Sequence, residues 1–425
     1  MAVQICPGTP LLLYCNINPL LKRFSLKFYL KTFGCKVNQY ETQVIRERLL
    51  RQGHGETLDI SQAQLCWVNT CTVTAKADRE CRQILRRINR VNPGARIIAA
   101  GCYAESEPGA IKAIDSRIDV LGNNRKLELF ALEGEFAGIS MFHDRTRAFI
   151  KVQDGCDNFC SYCKIPYVRG HSRSRNIKDI LKEAATLADK GYKELVLTGI
   201  CLGDFGRRDG GSGLACLIRR ISDIDKDFRI RLSSIELLDM TDDILDEIGS
   251  SKKLCRHLHI PLQSGDDEIL KKMNRRYTAA QFISRIEFIR RRIPDIGITT
   301  DIIVGFPGEK EANFKNSAAV MEIVRPSRSH IFTFSSRPGT RAFEMSQDAS
   351  PQEIRQRARV LEATGARFTR EFNTGLRHKE QRVLIEGRRD RVTGKLCGYT
   401  DNYARVLVDG GDDLMGSLMW HRFKA

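Results

Sequence analysis

From Leu26 almost to the end of the chain, short apolar runs rich in β-branched residues alternate with longer stretches whose apolar positions recur every three or four residues. That alternation predicts strand, turn and helix in repeated order, and so an α/β protein built on parallel strands. Leu26 to Thr32, Leu65 to Asn69 and Arg96 to Ala100 read as strands. A helix is expected over Glu41 to Gln52, and a basic amphipathic one from beyond Cys71 to about Asn89. After a stretch containing Gly134 and Gly138 and ending near Arg147, the pattern resumes with Glu194 to Gly199, Ile230 to Glu236, His257 to Gln263, Ile298 to Gly305 and His330 to Phe334. Repetition over roughly 220 residues predicts a full or partial β/α barrel, with its chemistry at the carboxyl ends of the strands. An arginine-rich helix from Pro351 to about Phe372 then leads into Gln381 to Glu386, Gly394 to Tyr399 and Ala404 to Val408, short runs between Gly- and Asp-containing turns. These predict a small β-barrel, a common platform for nucleic acid.

The pattern divides the chain into an extension of unknown role (1–25), a parallel-sheet α/β domain (26–138), a barrel (139–372) and the small β domain (373–425). In the extension, the apolar run Leu11 to Cys15 has no preceding positive charge and is followed by Asn16, Asn18 and Pro19. It is too short to span a bilayer and a poor signal peptide, and no other segment reads as transmembrane. Fourteen cysteines without an export signal, many of them in loops after strands, point to a reducing cytoplasm. The formal charge of +17 suggests a polyanionic partner, although an ordinary basic surface would give the same count. Candidate RNA contacts are Arg382, Arg388, Arg389, Arg391 and Tyr403 in the small domain, with a helical stripe of Arg79, Arg82, Arg86 and Arg90.

Cys156, Cys160 and Cys163 stand at C-x3-C-x2-C spacing directly after a short β-type run. Soft thiolates at this density favour iron–sulfur or zinc. Three of them would hold three irons of a cubane and leave the fourth open. A structural zinc knuckle with His171 as fourth ligand, or merely buried thiols, are the other readings. Cys35, Cys71 and Cys102 each stand just past a strand end, so they can converge as a second triad although 36 and 31 positions apart. Cys66, inside a strand, and Cys81, on a helix, read as buried apolar residues. Strand ends also nominate Thr198, Gly199, Ser234, Glu236 and Gln263 as ligand contacts, since they offer close backbone approach, hydroxyl, carboxylate and amide groups.

The three-cysteine loop resembles the radical-SAM superfamily, whose open iron binds S-adenosylmethionine (SAM) and whose electron cleaves it to a 5′-deoxyadenosyl radical. With Lys31-Thr-Phe-Gly-Cys35-Lys-Val-Asn-Gln-Tyr-Glu41, Gly155-Cys-Asp-Asn-Phe-Cys160-Ser-Tyr-Cys163, Pro261 to Gly265, Val304 to Glu309 and Ser335 to Thr340, the chain from Leu26 onward resembles the methylthiotransferases of that superfamily. The resemblance implies an amino-terminal cluster domain, a radical-SAM barrel and a TRAM domain. It implies two 4Fe-4S clusters held by Cys156, Cys160 and Cys163 and by Cys35, Cys71 and Cys102, with SAM at the five strand-end residues. It further implies a tRNA substrate, a flavodoxin- or ferredoxin-like electron donor and a sulfur donor. The first two motifs are most similar to the type that methylthiolates carbon 2 of threonylcarbamoyladenosine next to the anticodon. Isopentenyladenosine in tRNA, a ribosomal-protein aspartate, and a non-enzymatic zinc-stabilised RNA-binding protein are the alternatives. Lys164 departs from the aliphatic residue expected after Cys163.

Overall fold

The computed structural model describes residues 25–129, 138–143, 145–207 and 211–423. All but the last residue of the extension, and Gly134, lie outside the described residues.

The first domain is a parallel sheet of β1 (Lys27–Thr32), β2 (Gly55–Glu56), β3 (Leu65–Thr70), β4 (Arg96–Gly101) and β5 (Asp119–Leu121), in the order β2-β1-β3-β4-β5. The central β3 is buried at every position because helices cover both faces. Helix Lys36–Arg51 packs Ile45 and Leu49 against Phe28, Trp67 and Ile98. Helix Ala75–Val91 packs Cys81, Leu85 and Ile88 against Val68, Ala99 and Cys66. Both Cys66 and Cys81 are therefore buried, as expected. Helix Lys36–Arg51 begins five residues before the expected start, directly behind Cys35. Its first turns bury Asn38 and Glu41 as well as Val37 and Tyr40, so it has no polar face for a periodicity reading to find.

The second domain continues with β6 (Ala148–Lys151), the ribbon β7 (Gln153–Asp154) and β8 (Arg173–Ser174), then β9 (Glu194–Thr198), β10 (Arg229–Leu232), β11 (His257–His259), β12 (Gly297–Val304) and β13 (Arg328–Thr333). Parallel sheets β6-β9-β10 and β11-β12-β13 are joined through bridges Ile230–Leu254 and Ser234–His259 into a six-stranded partial barrel. Among the described residues β13 and β6 do not pair, which leaves a lateral seam. Two expected strands are shorter than their apolar runs: β10 ends at Leu232 and β11 at His259, beyond which only the isolated bridges Ser234–His259 and Gln263–Ile302 continue the pairing, with Gln263 at φ 65°.

Helix Pro351–Thr374, opened by a capping box between Ser350 and Glu353, leads to β14 (Glu380–Arg389), β15 (Leu396–Thr400), β16 (Arg405–Val408) and β17 (Leu418–Arg422). They form an antiparallel sheet in the order β16-β15-β14-β17 around Val383, Ile385, Leu396, Val406 and Val408. The sequence reading missed β17, whose Leu-Met-Trp-His-Arg run does not alternate in polarity.

This sheet docks on the amino-terminal ends of the barrel strands. Arg229 donates to Asp401 Oδ1 (2.9 Å) and to the carbonyls of Arg382 and Tyr399, Arg231 donates to the carbonyls of Asp401 and Thr400, and Glu194 pairs with both arginines. At Gly297 an added Cβ would lie 2.0 Å from the Asn402 carbonyl oxygen, which is backbone and cannot swing away. Gly297→Ala is therefore expected to destabilise the joint by about 1–3 kcal/mol, as overpacking does. Urea unfolding checks this, and an unchanged midpoint would show that the joint gives way freely.

Candidate cluster centres and the barrel lumen

The loop of the first triad is pinned by its own backbone. Gly155, at φ 75°, passes so close to the next turn that a Cβ would stand 1.9 Å from the His171 carbonyl oxygen. Cys156 N–H donates to the Gly170 carbonyl (3.1 Å), Cys163 N–H to that of Cys160 (3.0 Å), and Ser161 N–H to that of Met273 (3.0 Å). Burial, reinforced by the neighbouring Cys160 thiol, pushes the Cys163 thiol up to about 12. Thiols so desolvated ionise when a cation compensates them, which fits iron held by this donor set. Arg275 donates to Cys160 Sγ (3.4 Å) and to Glu236 (3.2 Å). His171 is 81% exposed, with Nδ1 2.5 Å from Asp157.

A fourth cysteine, Cys201, was not singled out from the sequence. Its thiol neighbours that of Cys156, accepts from Asn158 Nδ2 (3.6 Å) and donates to Asp239 (3.5 Å). Its place just past β9 was the available signal, the same strand-end logic that selected Cys71 and Cys102.

The strand-end contacts divide between two surroundings. Thr198 is buried, and a Cβ on Gly199 would meet Gln153 Oε1 at 2.8 Å. Gln153 in turn donates to the carbonyls of Asp154 and Gly155, so these residues back the cysteine loop. Glu236 faces Arg275 beside Cys160. Ser234 instead opens to the barrel lumen, and Gln263 pairs with Ile302 beyond the end of β11.

In the first domain three strand ends deliver the second triad. Cys35 caps helix Lys36–Arg51, Cys71 follows β3, and Cys102 follows β4. A Cβ on Gly34 (φ +90°) would lie 2.6 Å from Cys71 Sγ, so the turn before Cys35 rests on the Cys71 thiol. Burial pushes that thiol up to about 12, with the Cys102 and Cys35 thiols adding to the effect. Cys102 Sγ accepts from Asn123 Nδ2 (3.7 Å).

A buried ionic network joins the two triads. Glu41 accepts from Lys151 (2.8 Å) and Arg169 (3.2 Å) and pairs with Lys126, while Asp154 accepts from Lys151 (2.7 Å) and Arg169 (2.8 Å). Burial alone would raise the Glu41 carboxyl, but Arg169, Lys126 and Lys151 together hold it well below the usual carboxylate range. Arg169 ends helix Ile165–Arg169 behind Cys163 and also donates to Asn38 Oδ1 (2.6 Å), three residues past Cys35. Asn123, which touches Cys102, donates to the Val168 carbonyl (2.7 Å). Lys164, the departure from the family pattern, pairs with Glu107 of the first domain (3.1 Å).

The barrel lumen is a cavity of about 1100 Å³ reaching from Ser234 to the small domain. Tyr403 leans on His257 (ring centroids 4.7 Å) and stacks on Tyr399 (5.0 Å). Arg388, Arg389 and Arg391 line the same cavity, and Arg389 also pairs with Asp412 (2.7 Å). Arg382 lies in the domain joint, donating to Asp401 (3.1 Å) and the Lys252 carbonyl (3.0 Å). On helix Ala75–Val91, Arg79, Arg86 and Arg90 are exposed and Arg82 donates to the Tyr103 hydroxyl (2.7 Å).

Residues 150–321 match the Radical SAM superfamily, and residues 27–122 match Uncharacterized protein family UPF0004. The chain is 35% identical over 413 residues to the threonylcarbamoyladenosine tRNA methylthiotransferase MtaB of Bacillus subtilis, covering 91% of each chain. It is 39% identical to the enzyme of that name from Chlamydia pneumoniae, over 89% of this chain and 90% of the relative. It is 33% identical to the tRNA-2-methylthio-N(6)-dimethylallyladenosine synthase of Carboxydothermus hydrogenoformans, over 92% and 95%. The fold is shared with the radical S-adenosylmethionine methyltransferase TsrM of Kitasatospora setae (TM-score 0.53, 14% identity, 75% and 77% covered). Among the described residues no helix is long and apolar enough to cross a membrane.

Proposed function

The chain belongs to the radical-SAM methylthiotransferases, and from that membership we propose that it places a methylthio group on carbon 2 of threonylcarbamoyladenosine beside the anticodon of tRNA, in the cytoplasm. The observation that carries the reading is the pairing of a pinned three-cysteine loop with a second, strand-end triad across one buried ionic joint. In it Cys156, Cys160 and Cys163 hold the 4Fe-4S cluster that binds SAM, and Cys35, Cys71 and Cys102 hold a second one. Once bound, these groups supply the electron for reductive SAM cleavage and the sulfur, chemistry suited to an unactivated C–H carbon that offers acid–base catalysis no handle.

The chain's own residues then position and exclude. Thr198 and Gly199 form the wall of the SAM site behind the cysteine loop, with Gly199 leaving room for Gln153, and Ser234, Glu236 and Gln263 supply polar contacts from neighbouring strand ends. Arg275 orients Glu236 and donates to Cys160 Sγ. Residues 26–138 serve as the cluster domain, 139–372 as the radical-SAM core and 373–425 as the TRAM domain. A flavodoxin- or ferredoxin-like electron donor and a sulfur donor complete the reaction.

The direct test is mass spectrometry of tRNA nucleosides from a strain that lacks its own enzyme and carries this gene. Methylthiolated threonylcarbamoyladenosine is the expected product. Methylthiolated isopentenyladenosine in its place would move the chain to the dimethylallyladenosine type. tRNA affinity should also fall with salt, and Arg388→Ala and Arg391→Ala should each flatten the log–log slope by about 0.7 if each contacts one phosphate of a single-stranded region. Fluorescence anisotropy across a KCl series measures this, and an unaltered slope would locate the phosphate contacts elsewhere.

A further inference from the structure

Barrel interiors are ordinarily filled by layers of branched apolar side chains. This lumen is not. Side chains alternate between faces along a strand, and the cavity-lining positions of β11, β12 and β13 are His257 and His259, Thr299 and Asp301, and Arg328, His330 and Phe332, of which only the last is apolar. Asp301 is used by both neighbouring imidazoles, at 3.1 Å from His330 Nδ1 and 3.1 Å from His259 Nε2. His259 Nδ1 lies 2.8 Å from Thr299 Oγ1. Arg231 shares the Glu194 carboxylate with Arg147 and Arg229, and Arg147 also pairs with Glu386.

Four lumen cations remain: Arg388 and Arg391 of the small domain, assigned above to phosphate, and Lys36 and Arg328 outside it. Lys36 and Arg328 both line the cavity and have no ion-pair or hydrogen-bond partner among the described residues; Nε2 of His330 has no partner either. Lys36 directly follows Cys35, so the cavity opens beside the second cysteine triad. Lys36 and Arg328 are exposed to the open cavity and keep their water while it is empty. A ligand that filled it without an anion would strip that water from two charges and return nothing.

On the strength of the function proposed above, we propose that the barrel lumen is the subsite for the N6 substituent of the target adenosine. Lys36 and Arg328 pair with its carboxylate, and His330, oriented by Asp301, accepts from its hydroxyl. The threonylcarbamoyl group carries that carboxylate and hydroxyl, whereas an isopentenyl group has neither. Discrimination then comes from both sides, through contacts to the polar group and uncompensated desolvation of cations by the apolar one.

The test uses the cluster-loaded full chain without reductant, so that binding is read apart from turnover. Anticodon stem-loops carry threonylcarbamoyladenosine, its carboxylate methyl ester, or unmodified adenosine. Wild-type protein should bind the acid about 10- to 100-fold more tightly than the ester, the range of a charge-assisted hydrogen-bonded contact. Lys36→Gln and Arg328→Gln should each narrow that ratio, and the folded double variant should bring it close to one with ester affinity unchanged. Equal binding of acid and ester by the wild type, or an undiminished ratio in the double variant, overturns the assignment. A uniform drop for all three stem-loops would also overturn it, because the cations would then be holding phosphate. The product analysis described above is independent of this ratio, so the subsite and the reaction can fail separately.

Discussion

Replacing Cys156, Cys160 and Cys163 together by alanine is expected to abolish reductive SAM cleavage. Replacing Cys35, Cys71 and Cys102 is expected to leave 5′-deoxyadenosine forming while the thiolated nucleoside disappears. The triads stand on separately built elements. One is a single loop fixed by its own turn bonds and by Ser161 to Met273, and the other is assembled from three strand ends of another domain. Loss of the second therefore leaves the backbone bonds of the first in place. Iron content, 5′-deoxyadenosine and methylthio-nucleoside should be measured side by side in both triple variants after circular dichroism has confirmed folding. Full iron and continued tRNA thiolation in the amino-terminal variant would reduce Cys35, Cys71 and Cys102 to structural residues.

Glu41→Gln is expected to cost about 3–5 kcal/mol of stability, the range for removing one partner from a buried ion pair. Lys126, Lys151 and Arg169 converge on this carboxylate, and without it only Asp154 remains to balance Lys151 and Arg169. The same group sets a pH dependence. Because the folded carboxyl is held below its unfolded value, its contribution is complete above a pH of about 4.3 and is lost as pH falls from there through the folded pKa. Wild-type stability should drop across that acid window, and the drop should be shallower in Glu41→Gln. Urea midpoints of the cluster-free proteins from neutral pH down into that acid window measure both effects. Equal midpoints at neutral pH would mean that the joint is hydrated rather than closed. Since the network spans the domains beside both triads, a fall in stability should come with reduced iron retention at Cys35, Cys71 and Cys102.

Much of this architecture was legible before any coordinates because its signals are local. The strands β1, β3 and β4 of the first sheet are short apolar runs ending at Thr or Gly, and a parallel strand buried on both faces must be apolar throughout, as Leu65–Thr70 nearly is. Loop spacing alone selected Cys156, Cys160 and Cys163, and the rule that parallel strands present their ends together selected Cys35, Cys71 and Cys102. Cys66 and Cys81 were separated from these by the same local reading.

What the linear pattern did not contain was partnership between distant residues. Glu41 looks like any helical carboxylate until Lys126, Lys151 and Arg169 are brought around it from beyond the first sheet. Arg382 reads as a basic surface residue, yet Asp401 and the Lys252 carbonyl hold it in a domain joint, because Coulomb attraction acts through space whatever the chain separation. His259, Asp301 and His330 sit on three strands and become one group only when the barrel curves them inward. Composition, periodicity and spacing thus pointed to the order of strands and helices and to the cysteines able to hold metal, while the resemblance to a family chose among the metals. Packing of the domains against each other decided which charges are neutralised and which, like Lys36 and Arg328, are left facing a cavity.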